Sequence, residues 1–307
     1  MTLHPRLDDL LELRHQAHTL GLASHHLVNS SFSGLYASVF RGAGLNFEDV
    51  REYREGDDIR NMEWNVTART NVPHVKIFRE ERERSVVLCV DIGAHMSFGT
   101  RNTFKSIQAA RATALLGWAA NRLHDRVGGL VFGNRTTGPQ FFRPSRGRRA
   151  LWRLLRTLTE PTGNARSEPG CVINALQQVS RGTSTGSLIF LIADLNRDID
   201  HRDLERVLGS LCQRHTVVVL PVDDPADREL PDMGRVTFTS PAGDLVEIDT
   251  DDATARAAYT EAWIARRTAL ENICNRLGIV QLPLSTEQEI HVTLTRELQY
   301  RARMKGV

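Results

Sequence analysis

Two apolar runs stand out along the chain, Ser85-Val86-Val87-Leu88-Cys89-Val90-Asp91 and Ser187-Leu188-Ile189-Phe190-Leu191-Ile192-Ala193-Asp194. Each reads as a strand buried on both faces, and each ends in an acid. Residues 126–132 and 216–222 read as two further strands. Between them the pattern turns helical. In 104–123 the residues Ala109, Ala112, Leu115, Leu116 and Ala119 fall on one inward face, and helices follow at 148–158, 171–179 and 204–212. A hairpin is expected at 235–240 and 244–248 around Pro241-Ala242-Gly243. A long helix follows at 252–277 with Gly278 as its C-terminal cap, then a strand at 279–284 and a helix at 287–303.

The N-terminal quarter has a different pattern. Pro5 suits a first helical turn, and Leu7, Leu10, Leu11 and Leu13 cluster on one side of a helix over 5–20. Residues 21–44, rich in Ser, Gly and His, read as irregular. Apolar and polar residues alternate from Met62 to Ala68, which predicts a strand. Val75-Lys76-Ile77 is its expected hairpin partner across Thr70-Asn71-Val72-Pro73. The reading is therefore an N-terminal helix- and β-containing module over 1–84 and an α/β domain over 85–307.

Apolar strands separated by amphipathic helices predict a doubly wound, mostly parallel sheet covered on both faces. Ligands of such sheets sit beyond the carboxyl ends of the strands, where strand order reverses. Asp91 and Asp194 each fall at such an end, and two acids there suit a shared hard cation such as Mg²⁺.

Composition narrows the function. The 307 residues carry 39 Lys and Arg against 37 Asp and Glu, a formal charge of +2, which argues against a nucleic-acid coat or a polybasic membrane anchor. No run approaches the ~18 apolar residues of a membrane-spanning helix, and Met1 to Leu11 has no signal core, so a cytoplasmic protein is expected. The four cysteines, Cys89, Cys171, Cys212 and Cys274, form no C-x-x-C, and Cys89 and Cys212 sit among apolar residues as buried thiols would. A phosphotransferase of the Asp-x-Asp type needs an acid where Gly93 stands. A nuclease of the PIN type needs about three or four carboxylates, and two are placed. There is no Gly-x-x-x-x-Gly-Lys loop and no Gly-x-Ser-x-Gly elbow. The run Asp194-x-Asn196-x-Asp198-x-Asp200 with Glu205 mimics a calcium loop, but Ile199 stands where its sharp turn needs Gly. The basic stretch Arg143, Arg146, Arg148, Arg149, Arg153 and Arg156, with Trp152 among it, suits an acidic partner or a phosphate better than nucleic acid.

One stretch carries a resemblance. Gly42, Gly44, Phe47, Val50-Arg51-Glu52-Tyr53, Gly56-Asp57-Asp58, Ile59-Arg60, Trp64, Ala68-Arg69-Thr70, Lys76, Phe78 and Glu81-Arg82-Glu83 precede Asp91 and Met96-Ser97-Phe98-Gly99. Asp125-Arg126-Val127-Gly128, Arg146-Gly147-Arg148-Arg149 and Ala193-Asp194-Leu195 continue the pattern. Together they resemble domain-of-unknown-function family 58, a group of von Willebrand factor A-like proteins. The resemblance implies a non-enzymatic α/β module that binds other proteins, as an adaptor beside a MoxR-type AAA+ ATPase and a client protein still to be named. It also implies a metal-ion-dependent adhesion site of Asp-x-Ser-x-Ser, a distant Thr and a distant Asp. Asp91 and Asp194 match the acids, but Gly93 and His95 replace the serines and Gly170-Cys171 stands where the Thr belongs. The expected site is thus degenerate: Asp91 and Asp194 are the candidate ligands, His95 and Ser97 secondary ones, and Mg²⁺ or Mn²⁺ the ion such a remnant would take, with no cofactor required. The rim around Asp91, His95, Ser97 and Asp194 is the expected binding face. Arg51, Tyr53, Asp57, Asp58, Trp64 and Arg69 are further partner-binding candidates. Arg51, Asp57, Asp58 and Arg69 also suit a salt-bridge clamp between module and domain, anchored by Trp64. The competing function is a divalent-metal phosphohydrolase or nuclease using Asp91 and Asp194.

Overall fold

The computed structural model describes residues 4–17, 36, 49–54, 62, 64–77, 84–134, 136, 138–160, 170–196, 199–239 and 245–304. Their helices are α1 (Leu7–Gln16), α2 (Trp64–Thr70), α3 (Lys105–Arg122), α4 (Arg148–Thr159), α5 (Cys171–Gly182), α6 (His201–Cys212), α7 (Pro225–Arg228), α8 (Ala253–Leu277) and α9 (Ile290–Met304). The strands are β1 (Asp49–Glu52), β2 (His74–Ile77), β3 (Ser85–Asp91), β4 (Arg126–Phe132), β5 (Gln140–Ser145), β6 (Leu188–Ala193), β7 (Thr216–Asp223), β8 (Arg235–Thr239), β9 (Leu245–Asp249), β10 (Val280–Gln281) and β11 (Leu284–Ser285).

The central sheet runs β10-β7-β6-β3-β4-β5, with β11 also on β7; every pairing is parallel except β4 with β5. This is the doubly wound, mostly parallel α/β sheet that the apolar runs imply. Side chains alternate across it. Val86, Leu88, Val90, Phe190, Ile192 and Leu220 face one core beneath α1, α3, α4 and α9. Val87, Cys89, Ile189, Leu191 and Val219 face a second core beneath α5, α6 and α8. Because both faces are covered, β3 and β6 tolerate no polar interruption, which is why their sequences are continuous apolar runs.

Three local expectations are corrected. The alternating stretch 62–68 is not a strand: α2 occupies Trp64–Thr70. Seven residues span only two helical turns, too few for the apolar positions to separate a period of 2 from one of 3.6. The Thr70 hydroxyl donates to Val66 O at 3.0 Å, and Asn71, at φ 53°, ends the helix in the left-handed region. β2 pairs instead with β1, antiparallel from Asp49↔Ile77 to Glu52↔His74. The strand expected at 279–284 is split into β10 and β11, because Pro283 offers no N–H to the ladder. β5 was not anticipated; it is a half-buried edge strand containing Pro144, which only an edge tolerates. The irregular stretch read at 21–44 lies, apart from Tyr36, outside the described residues.

α1, assigned by its sequence to the N-terminal module, packs on α3. Leu10 and Leu13 join the main core, and the Trp118 indole N–H donates to Leu10 O at 3.1 Å. Asp252 caps α8 by accepting from the Thr254 and Ala255 amides, and Gly278 closes it at φ 65°. Cys89, Cys171 and Cys274 are buried and Cys212 is half-buried; burial pushes the Cys274 thiol up to about 12 and that of Cys89 higher still. Such thiols are inert as nucleophiles.

Since Leu10 is 1% exposed within the main core, Leu10→Ala is expected to destabilise the whole domain by about 2–4 kcal/mol in urea unfolding. A change below about 0.5 kcal/mol, or a separate early transition, would show α1 to be an independent appendage.

Candidate functional site

The chain leaves β3 to one side for β4 and later returns to the other side for β6, so strand order reverses at the carboxyl ends of β3 and β6. That edge gathers Asp91, Asp194, Asp223, Asp224 and Asp227. Asp91 ends β3 and is 1% exposed. Its Oδ1 accepts from the Gly93 amide at 2.9 Å, and its Oδ2 lies 2.8 Å from His95 Nε2. A single 3₁₀ turn over Ala94–Met96 swings His95 back onto the acid. Gly133, just past β4, completes the seat: it sits at φ 92°, and a Cβ there would lie 2.4 Å from Asp91 Oδ1.

Asp194 follows β6. Its Oδ1 accepts from the Asn196 amide at 3.0 Å, and its Oδ2 accepts from Lys105 Nζ at 2.8 Å. The same ammonium reaches Asp227 Oδ2 at 2.7 Å and lies 5.5 Å from the centre of the Phe98 ring. Lys105, the first residue of α3, is 2% exposed. Burial alone would lower its pKa, but the carboxylates of Asp194 and Asp227 outweigh burial and raise it. Asp227 also accepts from the Asp224 amide at 2.6 Å, closing a capping box at α7.

Asp224 ties three distant segments together. It accepts from the Thr100 amide at 2.8 Å, the Thr100 hydroxyl at 2.6 Å, the Thr286 hydroxyl and the Ala226 amide. Burial pulls its pKa up, yet these donors hold it below the usual carboxylate range. Asp223 pairs with Arg267 at 2.9 Å, and here burial wins over the guanidinium and pushes the acid up to about 6.

Of the residues singled out by sequence, Asp91 and His95 are brought into contact, and Asp194 stands just past the neighbouring strand with a different partner. Ser97 is exposed, its amide bonded to Ala94 O at 3.0 Å. The Tyr53 amide donates to Pro73 O at 2.8 Å, and Arg69 is exposed on α2. Asp57 and Asp58, and with them the proposed clamp, lie outside the described residues, as does the side chain of Arg51. Trp64 is 65% exposed, so it does not act as a buried anchor. The arginines of the basic stretch are exposed on β5, the following turn and α4. Arg146 and Arg148 line a cleft of about 780 Å³ together with Arg14, His15, Arg122 and His124.

Sequence reasoning missed Lys105, Asp223, Asp224 and Asp227. Two signals pointed to the first three. Asp223-Asp224 follows the apolar strand at 216–222 just as Asp91 and Asp194 end the two apolar runs. The chain also has only three lysines, Lys76, Lys105 and Lys305, among 39 basic residues, so a lysine at the head of α3 is conspicuous. A divalent cation does not fit these side chains as they stand. Both oxygens of Asp91 are engaged, Asp194 holds an ammonium, and a second cation beside Lys105 would be repelled. Among the described residues no trio of His, Cys, Asp or Glu is gathered as a metal site.

The raised Asp223 gives a signed pH effect. Its folded pKa of about 6 exceeds the unfolded value of about 3.9, so between those values the folded state holds the extra proton. Wild-type stability relative to Asp223→Asn should therefore fall by about 2–3 kcal/mol as pH rises from 4 to 7, measured by urea unfolding. A relative gain over that range would mean that the Arg267 pair outweighs burial.

The profile of the family described as "Protein of unknown function DUF58" matches residues 49–269. The chain is 30% identical over 290 residues to the uncharacterized proteins Rv1480 of Mycobacterium tuberculosis and Mb1516 of Mycobacterium bovis, covering 93% of this chain and 88% of each relative. Among solved structures it is similar to the conserved hypothetical protein BatB of Bacteroides thetaiotaomicron, at TM-score 0.41 and 14% identity, covering 72% of this chain and 99% of that one. It is also similar to the SpRpn10 VWA domain, at TM-score 0.40 and 9% identity, covering 70% and 95%. With a family profile that spans most of its sheet and relatives alignable nearly end to end, the chain belongs to the family of proteins of unknown function DUF58.

Proposed function

We propose that this protein is a docking module whose carboxyl edge, around Asp91, His95, Ser97 and Asp194, receives a protein partner. In this reading it is an adaptor that couples a client to a MoxR-type AAA+ ATPase through a degenerate adhesion site. One observation carries the reading. The acids at the switch point are engaged by the protein's own donors and cations, while the turn above them presents Ser97 to solvent. Such an edge holds its exposed turn in a fixed geometry, which suits recognition. The hydrolase reading asks Asp91 and Asp194 to share an ion; each holds its own partner, which favours docking.

Trp64 adds a second contact. An indole left 65% exposed on a short helix of the family-specific segment is the residue type that dominates interface energetics. Its exposure favours recognition over the architectural role.

The test uses the purified chain and a purified MoxR-type ATPase from the same organism, with binding followed by calorimetry. Wild type is expected to bind. Trp64→Ala and Ser97→Arg are each expected to weaken binding about tenfold or more while changing stability by no more than about 0.5 kcal/mol. No measurable binding by the wild type would overturn the adaptor reading. Unchanged affinity in both variants would overturn the assigned face.

A further inference from the structure

We propose that the Lys105 ammonium is the built-in cation of the carboxyl edge, standing in for a divalent ion between Asp194 and Asp227 and keeping a latent metal site closed. Three observations support this. Lys105 reaches the switch point from the first residue of α3 and is 2% exposed, so its charge is committed to this one place. Its two oxygen partners, at 2.8 and 2.7 Å, come from the loop after β6 and from α7, and carboxylates are the kind of hard ligands that Mg²⁺ or Mn²⁺ takes. Asp223 lies close enough that the charges of Asp194, Asp227 and Lys105 all act on it.

Residue choice points the same way. In a chain whose basic residues are almost all arginine, this position holds a lysine. A guanidinium is a flat fork that spreads its charge and needs room, whereas an ammonium is a compact point charge of roughly ionic size. Removing that group opens a space lined by two carboxylates. Mg²⁺ and Mn²⁺ are commonly held by one or two carboxylates with water in the other positions, so the emptied site meets their needs.

The functional consequence rests on the docking reading: the face would carry a fixed charge pattern whatever the ambient metal concentration. The ion test itself uses no partner. Failure to bind an ATPase leaves this inference standing, and failure of the ion test leaves the docking face standing.

The experiment measures Mn²⁺ binding by electron paramagnetic resonance and thermal shift in wild type, Lys105→Ala, Lys105→Met and Lys105→Ala/Asp194→Asn. Wild type should bind no Mn²⁺ at millimolar ion. Lys105→Ala should bind one Mn²⁺ per chain at least tenfold more tightly than wild type, with a Tm rise of several degrees. Lys105→Met, which fills the space with an apolar chain, should bind none, and Asp194→Asn should abolish the gain. If Lys105→Ala folds only with Mn²⁺ present, the inference is supported. If it fails to fold with or without the ion, binds no better than wild type, or if wild type itself binds Mn²⁺, the inference is overturned.

Discussion

The ion pair that Lys105 makes with Asp194 and Asp227 is the contact on which the carboxyl edge depends. A parallel sheet whose strands end in acids crowds like charges at one rim, and in a buried setting that repulsion is costly. This fold answers it in three ways. Asp91 takes a histidine and an amide, Asp194 and Asp227 share one ammonium, and Asp224 collects neutral hydroxyl and amide donors. Asp223 is the least well compensated, which is why its proton is held to a higher pH than an ordinary carboxyl group.

These contacts also explain how the rim is held together. Thr100 comes from the turn before α3, Asp224 from the end of β7, and Thr286 from the segment after β11. One carboxylate thus fastens elements from three parts of the chain. Gln108 adds a further tie, its amide donating to Ser285 O and Gln288 O. A turn fixed this way is held in one geometry, and on the docking reading such preorganisation lowers the entropic cost of association.

Much of the fold was legible in the sequence. The runs ending in Asp91 and Asp194 could be read because burial on both faces leaves a continuous apolar signature. α2 was not, because seven residues hold too little periodicity to separate helix from strand. β5 was not, because an edge strand is half exposed and carries mixed residues. The site divided in the same manner. Asp91 and His95 are close in sequence and were found together. Lys105 meets an acid 89 residues away, and only the strand order brings them within reach. Asp224 and Thr286 are likewise joined by topology rather than by any local pattern.

The central claim is that a protonated, water-excluded lysine replaces a metal at the switch point, and lysine-selective ¹⁵N NMR tests it most directly. With three lysines in the chain, assignment is simple. The account predicts one ammonium signal, lost in Lys105→Met, that exchanges slowly with solvent and stays protonated beyond the pH at which an ordinary lysine titrates. Three fast-exchanging ammonium groups, or a Lys105 that loses its proton near neutral pH, would contradict it.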